Sequence, residues 1–203
     1  MKAVFFDFDG VLTTDKNGTT SICKYISRTV KIDCNAFETA YRRYNERLSS
    51  GQLMHRDIWD YICKELHTDI PYDCLFRSFI HTPIDNDMIR LVKQLRGCGL
   101  KTGMITDNKR DRIDAIMAYY NWYHLFDAVT VSADIGSGKS HIDIFNSACN
   151  NVAVTPNESI FIDNSEKNLL IPQKMGMHTF LYNDAHRDTA KLITYLQSLG
   201  ISC

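Results

Sequence analysis

The sequence predicts an α/β fold: a three-layer, doubly wound parallel sheet with a small helical domain inserted after the first strand. Three observations carry this. Short continuous apolar runs of strand length recur along the chain, most follow a helix-like stretch, and each gives way abruptly to polar residues. Alternation of buried strands with amphipathic helices is the signature of a parallel sheet covered on both faces.

The first run is Ala3-Val4-Phe5-Phe6, ending in Asp7-Phe8-Asp9-Gly10. Later runs are Thr102-Gly103-Met104-Ile105, Ala128-Val129-Thr130-Val131, Ser159-Ile160-Phe161-Ile162 and Thr179-Phe180-Leu181. Between the first and second, residues 14 to 83 hold no buried-strand run but several amphipathic stretches. Ala36-Phe37, Ala40-Tyr41, Tyr44 and Leu48 keep a three-to-four spacing, as do Ile58-Trp59, Ile62 and Leu66. So long a crossover reads as a small helical domain over 14–83, with residues 1–13 and 84–203 forming the core; Ser49-Ser50-Gly51-Gln52 would link two of its helices.

Composition excludes several classes. Hydrophobic residues at 44 % and charged residues at 23 % match an ordinary globular chain rather than a disordered or membrane-embedded one. A formal net charge of -1 offers no broad basic field, so a nucleic-acid polymer is not an expected partner. No apolar stretch reaches bilayer-spanning length. A strand-like run begins immediately after Lys2, leaving no room for a signal peptide, and a cytoplasmic protein is expected. The 7 cysteines form no Cys-x-x-Cys pair and read mostly as buried, reduced thiols.

In open parallel sheets ligands bind at the carboxyl ends of the strands. Here those ends carry Asp7 and Asp9, then Thr106-Asp107-Asn108, then a segment leading to Lys139, then Asp163-Asn164. Any one of them reads equally well as a helix cap or turn residue. Together they suggest more: two carboxylates brought to ~4 Å repel by about 4 kcal/mol at an effective dielectric near ~20, so a cation or a shifted proton is expected. Hard oxygen ligands suit magnesium, and a lysine with a threonine hydroxyl suits a phosphoryl group.

Four segments in order resemble the haloacid dehalogenase superfamily. Asp7-Phe8-Asp9-Gly10-Val11-Leu12-Thr13 is similar to its first signature and Ile105-Thr106 to its second. Ser132-Ala133-Asp134-Ile135-Gly136-Ser137-Gly138-Lys139, with Ile144-Phe145, resembles the third, and Phe161-Ile162-Asp163-Asn164-Ser165-Glu166-Lys167-Asn168 the fourth. The insert sits where members of the helical-cap (C1) phosphatase subfamily carry their cap, and Ser50-Gly51-Gln52-Leu53 resembles the cap's substrate-facing turn.

The resemblance implies a magnesium-dependent phosphatase acting on a small phosphorylated metabolite, a sugar phosphate or nucleotide. Asp7 would be the nucleophile and Asp9 the acid and base, with Thr106 and Lys139 binding the transferring group. Magnesium would be held by Asp7, the backbone carbonyl of Asp9 and Asp163. Gly10, Thr106, Asp107, Asn108, Lys139, Gly51 and Gln52 make up the expected substrate-binding set. Asp107, Ser140 and Asn164 depart from the family's more frequent Asn, Pro and Asp.

Other readings compete. Ala133–Ser140 nearly satisfies a P-loop, but about 64 residues remain after Lys139, too few for such a domain, and Asp7 and Asp9 would go unexplained. A dehalogenase needs no proton shuttle at Asp9. A sugar-phosphate mutase and a non-catalytic binding protein of the same fold stay open. His55 and Arg56 face either substrate or solvent, His141 begins a helix, and Tyr119, Tyr120, Trp122 and Tyr123 suit packing or a partner surface.

Overall fold

The computed structural model describes residues 1–202. Five parallel strands, β1 (Ala3–Phe6), β2 (Lys101–Thr106), β3 (Ala128–Val131), β4 (Ser159–Asp163) and β5 (His178–Leu181), form one sheet in the order β3-β2-β1-β4-β5. The central β1 aligns Ala3 with Lys101 on one side and Ser159 on the other. All four β1 side chains are fully buried because a central parallel strand has no solvent-facing side. Strand pleating sends Ala3 and Phe5 to one face and Val4 and Phe6 to the other, and each face has its own apolar cluster.

On the Phe5 face lie α9 (Ile142–Asn151) and α10 (Glu166–Lys174), through Ile144, Phe145, Ala148 and Leu169. The Phe6 face is covered by α6 (Asn86–Gly97), α7 (Arg110–Tyr119) and α11 (Thr189–Ser198), through Leu91, Val92, Ile113, Ile116, Leu192 and Leu196. A short α8 (Ser132–Ile135) follows β3 directly and ends at Gly136, whose φ of 76° is left-handed. Strand boundaries agree with the sequence reading to within a residue at each end, because the apolar runs stop where backbone pairing stops.

The stretch between β1 and α6 holds α1 (Gly18–Val30), α2 (Cys34–Arg42), α3 (Asn45–Ser49), α4 (His55–Glu65) and α5 (Tyr72–Ile80). Asn17 and Asp33 cap α1 and α2 by accepting from the N–H groups of Thr20 and Ala36 at 3.0 and 2.8 Å. The run expected from Ala36 to Leu48 splits into α2 and α3, where Tyr44 N–H turns back to the Tyr41 carbonyl at 3.1 Å. The chain leaves and re-enters through one antiparallel bridge, Thr13 with Ile84. Ile22, Phe37, Trp59 and Phe79 share one apolar cluster with Phe6 and Ile113, so these helices are packed onto the sheet's own core.

Among the described residues no helix is long and apolar enough to cross a membrane. Cys23, Cys34, Cys63, Cys74 and Cys149 are free thiols, as expected for mostly reduced cysteines, and Cys98 is disulfide-bonded. Trp122 is buried with Tyr120 stacked on it at 5.1 Å, while Tyr119 and Tyr123 are exposed. His141 caps the start of α9, as its position after Lys139 suggested.

Candidate active site

The carboxyl ends of β1, β2 and β4 open into a cleft of about 830 Å³ whose wall includes Asp7, Asp9, Thr106, Asp107, Lys139 and Asn164. Its lining also includes residues from the α1 start and the α2–α3 region, among them Asn17, Thr19, Arg42 and Ser49.

Lys139 is the pivot. Its ammonium lies 2.8 Å from Asp7 Oδ1 and 2.7 Å from Asp163 Oδ2, with all three side chains buried. Burial opposes a charged lysine, but the two carboxylates outweigh it and hold Lys139 above the usual lysine range. One cation cannot fully neutralise two buried anions. Burial therefore pushes Asp7 up to about 8, with Asp163 adding to the rise and Lys139 opposing it.

Asp163 is fixed by Ser165 N–H at 2.7 Å and by the Asn168 amide at 3.1 Å. Asp7 Oδ1 also accepts from Phe8 N–H at 2.7 Å. Among the described residues Asp7 Oδ2 has no hydrogen-bond partner, so one oxygen of the carboxylate is uncommitted.

Asp9 has a different environment. Arg112, on the first turn of α7, clamps it with two bonds of 2.7 and 2.8 Å, and the Asn108 amide adds a third at 2.9 Å. Burial works to raise Asp9, but Arg112 prevails and holds it below the ordinary carboxylate range. The guanidinium is itself 1 % exposed, sits over the Phe8 ring, and donates to Thr82 at 3.3 Å. Gly18 leaves room for it, since any side chain there would collide with the guanidinium.

The expected substrate-binding residues divide. Thr106 and Lys139 line the cleft. Asp107 also lines it, but its Oδ1 accepts from the Lys139 backbone N–H at 2.8 Å and packs against Gly138, where a Cβ would lie 2.6 Å away. It thereby fixes the loop that delivers Lys139. Asn108 is buried and bridges Thr106, Asp9 and Arg112. Gly10, at φ 85°, gives its N–H to Thr13 Oγ1 at 3.1 Å and makes room for Asn164.

Gly51 and Gln52 are exposed and stand outside the residues lining the cleft; the neighbouring Ser49 and Ser50 line it instead. Gly51 packs on the Ala133 carbonyl, where no side chain fits, and Ser132 Oγ donates to the Ser49 carbonyl at 2.7 Å. That turn is docked on the core. Asn164 donates to Asp184 at 3.2 Å.

Two groups escaped sequence reasoning. Arg112 lies 103 positions from Asp9 in a run of charges that reads as a solvated helix face. His55 was expected at substrate or solvent, yet it is fully buried between Asp111, 2.7 Å from Nδ1, and the Tyr41 hydroxyl, 2.6 Å from Nε2. With Nδ1 donating to Asp111, whose pKa is lowered chiefly through His55 against the effect of burial, Nε2 accepts from Tyr41. Arg56 is exposed.

The donor chemistry fits a magnesium ion. Among the described residues no three His, Cys, Asp or Glu side chains form a self-sufficient metal cage. Magnesium characteristically takes one or two carboxylates and completes its shell with waters and phosphate oxygens. Asp7, with its uncommitted oxygen, and the adjacent Asp163 supply that need.

Comparison with known proteins agrees with this architecture. A glyceraldehyde 3-phosphate phosphatase of Methanothermobacter thermautotrophicus is 24 % identical over 206 residues, spanning 93 % of this chain and 90 % of that protein. One of the same description from Methanocaldococcus jannaschii is 26 % identical over 106 residues, 52 % of this chain and 44 % of its own length. A predicted HAD-like family hydrolase from Porphyromonas gingivalis superposes with a TM-score of 0.72 at 18 % identity, covering 97 % of this chain and 98 % of that one. A HAD family enzyme from Bacteroides thetaiotaomicron, crystallised as an alanine mutant with magnesium and inorganic phosphate, gives 0.72 at 15 % identity over 95 % of this chain and 98 % of that one. At these identities the structural likeness speaks for the fold. The model of the haloacid dehalogenase-like hydrolases matches residues 1–176, and the chain belongs to that family.

Proposed function

We propose that this chain is a magnesium-dependent phosphatase of small phosphate monoesters, of the helical-cap (C1) type, with residues 14–83 as the cap. The observation that carries this is the convergence of Asp7, Asp163 and Lys139 within 2.8 Å, in a cleft that also presents Asp9 and Thr106. The description of the two archaeal relatives as phosphatases supports the same reaction class, and the neighbour crystallised with phosphate and magnesium supports the metal.

In the proposed reaction an Asp7 carboxylate oxygen attacks phosphorus as the bond to the leaving oxygen breaks, giving an aspartyl-phosphate. Lys139 and the Thr106 hydroxyl hold the phosphoryl oxygens as charge moves onto them. Asp9 gives a proton to the leaving alcohol, then takes one from the water that attacks phosphorus in the second step, releasing inorganic phosphate and restoring Asp7. Arg112 keeps Asp9 ionised between turnovers, the form needed for the water step, so protonation for the first step requires the clamp to loosen. Bound to Asp7, Asp163 and the Asp9 carbonyl, magnesium would offset the carboxylate charge and polarise a phosphoryl oxygen.

Phosphate release from a panel of sugar phosphates and nucleotides, with magnesium and with chelator, tests the reading. Metal-dependent release supports it, and full activity in chelator would remove it. Isomer formation from a sugar phosphate in place of phosphate release would make the chain a mutase.

A further inference from the structure

Among the described residues Lys109 is a cleft-lining lysine, largely buried in the wall, whose ammonium makes no direct ion pair, although Asp9 and Asp111 lie near enough to act on its charge. It follows Asn108 at the start of α7, is 7 % exposed, lines the cleft and has no hydrogen-bond or ion-pair partner for its ammonium among the described residues. Its neighbours have closer partners: Asp9 is clamped by Arg112, Asp111 is bonded by His55, and Arg42, which also lines the cleft, pairs with Glu38 at 2.7 Å. Lys139, the other buried lysine, has two carboxylates. An ammonium on the cleft wall with no direct ion-pair partner has its donors free for an anionic group that enters the cleft. Burial first, then Arg112, press its pKa down to about 8 against the opposing pull of Asp9 and Asp111.

We propose that Lys109, with Arg42 lining the same cleft, is a subsite for a second anionic group, a carboxylate or a second phosphate, carried on the leaving part of the substrate. The proposal deepens the phosphatase reading and rests on it for the position of the scissile phosphate. The favoured substrates are then small dianion-plus-anion esters rather than phosphates of neutral alcohols, and a cleft of about 830 Å³ has room for them.

The test uses matched esters on three-carbon and six-carbon chains: the monophosphates of propane-1,3-diol and hexane-1,6-diol, the corresponding ω-carboxylates, and the corresponding bisphosphates. We expect at least one anion-bearing ester to exceed its neutral partner in kcat/KM by about tenfold or more, and the stronger of the carboxylate and bisphosphate series identifies the anion. Lys109→Met should bring that ratio close to one, and Lys109→Arg should keep most of it. Release from the neutral esters with no anion preference, or a preference untouched by Lys109→Met, overturns the subsite and leaves the phosphatase reading standing. Absence of release from every ester overturns the phosphatase reading instead. The subsite is then decided by calorimetric titration of the same esters, where about tenfold tighter binding of the anion-bearing member, lost in Lys109→Met, supports it and equal binding removes it. Lys109→Met should melt at or above the wild-type Tm, because it removes a largely buried charge that makes no direct ion pair. A clearly lower Tm would assign Lys109 to structural support and overturn the proposal.

Discussion

Asp7 and Asp9 stand two residues apart on one loop, yet their surroundings drive them in opposite directions. Asp7 shares a single ammonium with Asp163 and rises to about 8 as burial dominates, while Asp9 has a whole guanidinium plus an amide and falls. Without metal this ordering is the reverse of what the first step of the proposed reaction needs, an ionised Asp7 and a protonated Asp9, so a cation at Asp7 and a loosened clamp at Asp9 have to invert it. With both buried, the difference lies in the charges around them: one ammonium shared by two carboxylates at Asp7, and a full guanidinium with Lys109 nearby at Asp9.

Substitution at Asp7 should have the largest effect. Asp7→Asn removes the nucleophile and is expected to lower kcat by on the order of 10⁴-fold or more with every ester. Phosphate-release kinetics would show it, and a loss below tenfold would break the assignment. Asp9→Asn should cost roughly 10²–10⁴-fold for esters of poorly acidic alcohols and much less for an aryl phosphate, whose leaving group needs no proton. Equal losses across leaving groups would erase the distinction between the two aspartates.

Arg112→Met tests the Asp9 side through stability. Stranding the Asp9 carboxylate should destabilise the fold by about 3–5 kcal/mol, read from urea denaturation at pH 7. Because Asp9 is lowered in the folded protein, its contribution is present above the ordinary aspartate pKa and is lost as pH falls through the folded value. The gap between wild type and variant should therefore narrow in acid.

The Asp7 side has the opposite sign. Asp7 is raised from 3.8 to about 8, so the folded state binds more protons than the unfolded state across that window. Metal-free protein should lose stability as pH rises from about 4 to 8, and magnesium at about a hundred times its Kd should add back about 2.7 kcal/mol at pH 8. A thermal-shift series with and without magnesium would show both trends, and a flat metal-free profile would count against the charge imbalance. The smallest effect expected is at Lys109, which faces Arg112, Arg42, Asp9 and Asp111 and is pressed down to about 8. Any preference for anion-bearing esters in kcat/KM should be present below that pH and fade as pH rises through it.

What could be read in the sequence followed from range. Ala3–Phe6 and Ser159–Asp163 announce themselves because a strand buried on both faces must be continuously apolar, and Asp7, Thr106, Lys139 and Asp163 stand out because each closes such a run or its following loop. Arg112 gave no such signal: it sits among Arg110, Asp111 and Asp114, and only its spacing of four from Asn108 hinted that both face one way. His55 was misjudged for the same reason, since its partners Tyr41 and Asp111 come from two other helices. Gly51 was read as a substrate contact, but its lack of a side chain serves the backbone of Ala133.

The bridge between Thr13 and Ile84 has a consequence for how such a chain could be rebuilt. Both ends of the inserted segment meet side by side, so the gap left by excising it could be spanned by a short turn without displacing β1 or the loop that bears the nucleophile. A different segment could be grafted at the same doorway and, in the proposed enzyme, would set the same catalytic residues before other substrates. The shared apolar seam from Phe6 to Phe37 and Trp59 sets the condition, since a graft must also roof the face of the sheet that the native helices now shelter.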